Sequence, residues 1–172
     1  MKIFKIAFMG HRPNKLFGYD LKQKSYQILF KRIKATTENI IKSNPSSNYL
    51  LIQGMAQGVD QMAAVAGFHL KKIYSIEIEA AIPFKDHSLN WPLQAQDLYN
   101  KIKERCDYVT YVSDSYDSFC LQRRNMYMVD KCDLLIAVYD NTPGGTKNCI
   151  NYARSKNKSI IYINPKETFD DI

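Results

Sequence analysis

The chain has 172 residues, with 24 Lys/Arg against 17 Asp/Glu and a formal net charge of +7. Its 45% hydrophobic and 12% aromatic content supplies a packed core and excludes a disordered chain. No apolar run approaches the ~18 residues of a membrane span. The apolar start from Ile3 to Met9 imitates a secretory leader but is broken too early by Gly10-His11-Arg12-Pro13. One domain over residues 1–172 is therefore expected, cytoplasmic and with no membrane contact.

The positive charge is uneven. Residues 1–50 carry ten Lys/Arg against two acids, whereas residues 101–172 carry eleven against ten. Cys106, Cys120, Cys132 and Cys149 form no CxxC pair and have no His at zinc spacing. Reduced thiols are expected, with neither a disulfide framework nor a metal site.

In chain order, Ile3 to Met9 reads as a buried strand. From about Leu21 to Ile41, apolar residues recur at Tyr26, Leu29, Ile33, Ile40 and Ile41, the stripe of a helix. Lys22, Lys24, Lys31, Lys34 and Lys42 fall mostly off that stripe. Asn44-Pro45-Ser46-Ser47 predicts a turn, and Tyr49 to Ile52 a second strand. A glycine-bearing loop, Gly54-Met55-Ala56-Gln57-Gly58-Val59-Asp60, leads into a helix ending near Leu70.

A third strand is expected from Ser75 to Ile82, then a helix from Trp91 to Arg105 with Pro92 in its first turn. Tyr108 to Val112 predicts a fourth strand, Phe119 to Val129 a helix, and Leu134 to Tyr139 a fifth strand. A helix from about Lys147 to Arg154 and a strand from Ile160 to Ile163 complete the series. Arg105-Cys106-Asp107-Tyr108-Val109 echoes Lys131-Cys132-Asp133-Leu134-Leu135, and two equivalent helix-to-strand junctions account for it.

Strands regularly separated by helices predict an α/β, Rossmann-like three-layer sandwich with a mainly parallel sheet of about six strands. Ligands in such sheets bind beyond the carboxyl ends of the strands, where the strand order reverses. Three strand ends are unusual: Gly10-His11-Arg12-Pro13, the Gly54–Asp60 loop, and Pro143-Gly144-Gly145-Thr146. Glycine allows close backbone approach, and a helix starting there points unpaired N–H groups at an anion. Thr146 is expected to cap its helix and to offer its hydroxyl to the same anion. No segment matches GxGxxG or GxxxxGK[ST].

These motifs, together with Ile82-Pro83-Phe84, the run from Arg124 to Asp130, and Leu135 to Asp140 ahead of Gly144-Gly145-Thr146-Lys147, resemble the SLOG superfamily in its YpsA-like branch. That superfamily joins DNA-processing proteins with lonely-guy phosphoribohydrolases. The resemblance implies a sheet that binds nucleotides or nucleotide derivatives. It places Gly54, Gly58, Gly144, Gly145 and Thr146 around phosphate and Arg124 near a ribose phosphate. The lonely-guy enzymes carry a glutamate just after the glycine turn. Here Lys147-Asn148-Cys149-Ile150 stands there, with no carboxylate to act on a glycosidic bond.

The candidate binding set is thus Gly10, His11, Arg12, Gly54, Met55, Gly58, Asp60, Arg124, Gly144, Gly145 and Thr146, with Trp91 as a base-stacking candidate. Arg123 and Arg124 diverge by roughly 100° on a helix, so one of them faces the crevice, and Arg124 is the choice. The expected function is binding or sensing of a nucleotide or nucleotide-derived signal, for example an ADP-ribose or cyclic-nucleotide species. No cofactor is called for, and homo-oligomers remain open. One alternative is a nucleotide hydrolase in which Asp60, Asp130 or Asp140 replaces the missing glutamate. The other is a single-stranded nucleic-acid binding protein, prompted by the net charge.

Overall fold

The computed structural model describes residues 3–45 and 48–167, so Ser46 and Ser47 of the expected turn lie outside the described residues. Strands and helices alternate: β1 (Ile3–Gly10), α1 (Lys24–Ser43), β2 (Asn48–Gln53), α2 (Val59–Leu70), β3 (Ile76–Ile82) and α3 (Leu93–Arg105). Then follow β4 (Tyr108–Tyr111), α4 (Cys120–Lys131), β5 (Leu134–Val138), α5 (Gly145–Ser155) and β6 (Ser159–Ile163). The strands form one sheet of order β4-β3-β2-β1-β5-β6 in which every pairing is parallel. The expected α/β architecture is present.

The central strands carry apolar residues on both faces, and their alternation divides the core in two. Ile6 and Phe8 of β1, Leu51 of β2 and Ile78 of β3 pack beneath α1, α2 and α3. Their neighbours Ala7, Met9, Leu50, Ile52 and Ala81 face α4 and α5, meeting Met128, Val129 and Cys149. A period of two in a doubly covered sheet requires this division. Helix α1 buries Tyr26, Leu29, Ile33, Thr37 and Ile41, which leaves its lysines outside.

The echoed junctions have a physical basis in their aspartates. The Asp107 carboxylate accepts the Ile78 N–H at 2.8 Å, and its own N–H donates to the Ile78 carbonyl at 2.8 Å. Asp133 repeats this against Lys5, at 2.9 and 2.8 Å. Each carboxylate extends a parallel ladder by one bond where the next strand begins. Cys106 and Cys132 end the preceding helices.

Several helix starts differ from expectation. Helix α1 begins at Lys24, because the Asp20 carboxylate takes the Lys22 N–H at 3.0 Å and Gly18 holds φ +84°, making a turn of the approach. Pro92 is extended at ψ 146° and precedes α3 rather than entering it. Helix α5 starts at Gly145, so the glycine turn is itself the helix start. A short 3-10 turn over Pro13–Lys15 follows β1, an element beyond the expected series.

Strand order reverses between β1 and β5, and the carboxyl ends of these two strands open a crevice.

Candidate functional site

A cavity of about 310 Å³ occupies that crevice. Gly10, His11 and Arg12 enter it from the end of β1, Asp60 from α2, Arg124 from α4, and Gly145 and Thr146 from α5. The switch point thus brings together residues spread over most of the chain.

At its centre, buried Arg124 is held by buried Asp60. The Arg124 Nη1 lies 3.1 Å from Asp60 Oδ2 and also donates to the Gly54 carbonyl oxygen. The same carboxylate oxygen accepts the Ala56 N–H at 3.2 Å, so one ion pair ties α4 to the loop after β2. Burial pushes the Asp60 pKa up, against the opposing pull of Arg124 and the Ala56 N–H. The Nε of Arg124 and the Oδ1 of Asn125 are buried without a hydrogen-bond partner among the described residues. Both residues line the cavity. Arg123 points outward to Asp117, as the angular argument required.

His11 is clamped on both ring nitrogens. Nε2 lies 2.8 Å from Asp140 Oδ1 and 3.2 Å from the Thr142 hydroxyl, and Nδ1 lies 3.5 Å from the Thr146 hydroxyl. The imidazole therefore bridges the ends of β1 and β5. Burial alone would raise the Asp140 pKa, but hydrogen bonds from Lys166, Thr142 and His11 hold it well below the usual carboxylate range. A depressed acid contributes stability in full above its unfolded value of ~3.9 and loses it as pH falls through the folded value. An Asp140→Asn variant is accordingly expected to be less stable than the parent near neutral pH. The two should converge under strongly acidic conditions, as parallel urea titrations at both pH values would read.

Gly145 faces open space, with nothing within 4 Å of where a Cβ would stand. Neither α2 nor α5 has a side-chain cap, so their first amides lack side-chain acceptors. Thr146 is not the cap expected of it. Gly144 occupies that position, and Thr146, two residues further in, directs its hydroxyl at His11.

Four of the expected binding residues do not line this cavity. Gly54 backs onto Arg124, leaving no room for a Cβ. Met55 adopts φ 62° and sends a fully buried side chain into the core, its N–H donating to Gln53 Oε1 at 2.7 Å. Gly58 lies under the His11 carbonyl, and Gly144 close to the Lys15 ammonium.

Trp91 is likewise absent from the lining. Its ring meets His87 and Tyr99 edge-on at centroid distances of 5.1 and 5.4 Å, in a cluster packed on the core. Burial, with Arg124 and Arg12 nearby, lowers the His87 pKa to about 3 and keeps the ring neutral.

The lining also includes Asn14, Lys15, Leu121 and Asn125, which the sequence reading did not select. Lys15 is delivered by the 3-10 turn and donates to the Pro143 carbonyl at 2.6 Å. A Pro directly after Gly-His-Arg was the one available hint of a turn returning toward the crevice.

Of the acids weighed as replacements for the glutamate, Asp60 lines the cavity but is bound to Arg124. Asp130 accepts from the Tyr152 hydroxyl, and Asp140 from His11 and Thr142. The four cysteines are free, and burial raises Cys149 to about 12.

Among known proteins, the family model YpsA, described as the YspA SLOG family, matches residues 6–168. The SPbeta prophage-derived protein YoqJ of Bacillus subtilis is 31% identical over 137 residues, covering 72% of this chain and 78% of that one. The UPF0398 protein YpsA of the same organism is 25% identical over 171 residues, covering 97% and 93%. In fold, the chain is similar to DNA processing protein A of Streptococcus pneumoniae, with a TM-score of 0.64 and 15% identity. The match covers 94% of this chain but only 50% of that one. The Helicobacter pylori protein of the same name, whose structure concerns its single-stranded DNA binding mode, gives 0.61 and 14% over 96% and 68%. At these identities the likeness is one of fold.

Proposed function

Since the chain belongs to the YspA SLOG family, we propose that the crevice binds nucleotide phosphate, presented by single-stranded DNA. The observation that carries this is the uncapped start of α5 behind Cβ-less Gly145, with Arg12 and Lys15 exposed at the mouth. Backbone N–H groups, a helix dipole and two cations favour an anion, and the open Gly145 lets it approach the backbone. Arg12 forms no ion pair among the described residues and faces the cavity closely enough for its charge to act on Asp60. The binding mode named for the Helicobacter pylori relative in fold adds the polymer to the phosphate. In this reading the chain works in the cytoplasm, where its thiols stay reduced.

A second reading, a free nucleotide-derived ligand, is favoured by one specific feature. The cavity's volume of about 310 Å³ sits at the lower end of the small-molecule range, roughly 300–1,000 Å³. Fluorescence anisotropy with a labelled oligothymidylate distinguishes the two. DNA binding at low salt should weaken steeply as salt rises and fall at least tenfold in an Arg12→Ala, Lys15→Ala double variant. Nucleoside monophosphates, cyclic nucleotides and ADP-ribose are then added as competitors. Tight binding of one of these with no affinity for the oligonucleotide establishes the second reading. No binding of either class overturns both.

A further inference from the structure

On the face carrying α1, α2 and α3, away from the crevice, a second hollow of about 570 Å³ opens. Its floor is α2, at Met62 and Val65, and its walls are α1, at Tyr26 and Phe30, and α3, at Leu98 and Ile102. The charged side chains lining it are Lys31 and Lys34, three residues apart and so on one face of α1. Neither ammonium group has an ion-pair or hydrogen-bond partner among the described residues. Gln61 also lines the hollow. It is only 6% exposed, and its Nε2 has no hydrogen-bond partner among the described residues.

Gln61, Leu21 and Leu98 also line an adjoining space of about 290 Å³, which places Gln61 at the end of the hollow away from Lys34. From Tyr26 to Lys34 the wall of α1 runs ~12 Å at 1.5 Å per residue. The hollow therefore combines an apolar trough, an amide donor near one end and two unpaired ammonium groups near the other. A buried amide donor without an acceptor is destabilising, so an acceptor arriving with a ligand removes a standing penalty.

We propose that this hollow is a binding site for a free medium-chain acyl carboxylate carrying a second oxygen along its chain. The carboxylate meets Lys31 and Lys34, the methylenes lie between α1 and α3, and the second oxygen accepts from Gln61. A peptide helix suits the site less well, since its mid-helix carbonyls are already bonded and offer Gln61 nothing. The volume is that of a small-molecule pocket.

The test is displacement of anilinonaphthalene sulfonate by decanoate, ω-hydroxydecanoate and decyltrimethylammonium, with no nucleotide present, so its outcome is independent of the crevice. Decanoate should displace the probe and the cation should not. The ω-hydroxy compound should bind several-fold tighter than decanoate, and Gln61→Leu should erase that advantage. Exposed Lys31→Glu with Lys34→Glu should weaken both acids at least tenfold while thermal melting stays cooperative, and Val65→Trp should block them by filling the floor. Equal displacement by the cation, or no effect of charge reversal, overturns the proposal. Binding seen only on anionic phosphatidylglycerol vesicles in flotation overturns it in favour of a lipid surface. Ligand-free self-association that Val65→Trp abolishes, read by sedimentation, overturns it in favour of a second copy of the chain.

Discussion

Replacing Arg124 with alanine is expected to lower stability by ~3–5 kcal/mol, because it strands the buried Asp60 carboxylate without its partner. The Gly54 carbonyl loses its donor in the same step. For a chain of this length the loss corresponds to a melting temperature lower by roughly 6–20 °C. The cost is expected to be mostly electrostatic. An Arg124→Met, Asp60→Asn double variant should recover much of it, since no net charge is then left buried.

The pH dependence provides an independent readout. Burial raises the Asp60 pKa, and loss of Arg124 removes the chief force opposing that rise. A raised folded pKa gives stability that is fully present below the unfolded value of ~3.9 and is lost as pH rises through the folded value. The deficit of Arg124→Ala should therefore narrow as pH falls from neutral toward 4. A deficit below ~1 kcal/mol, or one independent of pH, would show that the Arg124–Asp60 pair does not brace the fold.

Gly58→Ala is expected to destabilise by roughly 2–4 kcal/mol and to disturb the crevice directly. Gly58 stands at φ 97° and ψ −125°, in a region that side chains rarely adopt, at a cost of ~1–3 kcal/mol. A Cβ there would lie 2.6 Å from the His11 carbonyl oxygen, and backbone cannot rotate away as a side chain can. The Val59 N–H donates to that same carbonyl at 3.4 Å, so relief of the clash displaces the β1 end from α2. His11 would shift with it. Chemical denaturation reads the stability, and oligonucleotide anisotropy should register a parallel loss of binding.

Arg124 and Gly58 show how differently the two kinds of residue announce themselves. A glycine two residues before an acid, after an apolar strand, marks a tight turn into a helix, because backbone conformation is a local property. Helical geometry allows only one of Arg123 and Arg124 to face the crevice, the family resemblance points to Arg124, and Arg124 is the one that lines the cavity. Its partner was not legible: Asp60 lies 64 residues away and is brought to it by the pairing of strands. Met55 failed as a binding residue for a related reason. Its loop position is right for a ligand, but a left-handed backbone turns its side chain into the core.

The positive charge has a definite place in the fold. Much of the excess lies on the outer side of α1, where the helical stripe predicted it. Two of those lysines nevertheless line the apolar hollow beside α2, which no periodicity in α1 alone could reveal.

By itself the sequence determined the alternation of strands and helices, the parallel sheet and the edge on which the crevice would lie. Those follow from short-range periodicity and from the steric rule that parallel strands need crossovers. The tertiary structure alone decided which polar groups are buried together. Glu79 of β3 accepts hydrogen bonds from Thr110, Tyr127 and Lys131 beneath α4. His11 meets Asp140 across 129 residues. Such pairs depend on strand order and register, and a carboxylate tolerates burial only where distant segments deliver its donors.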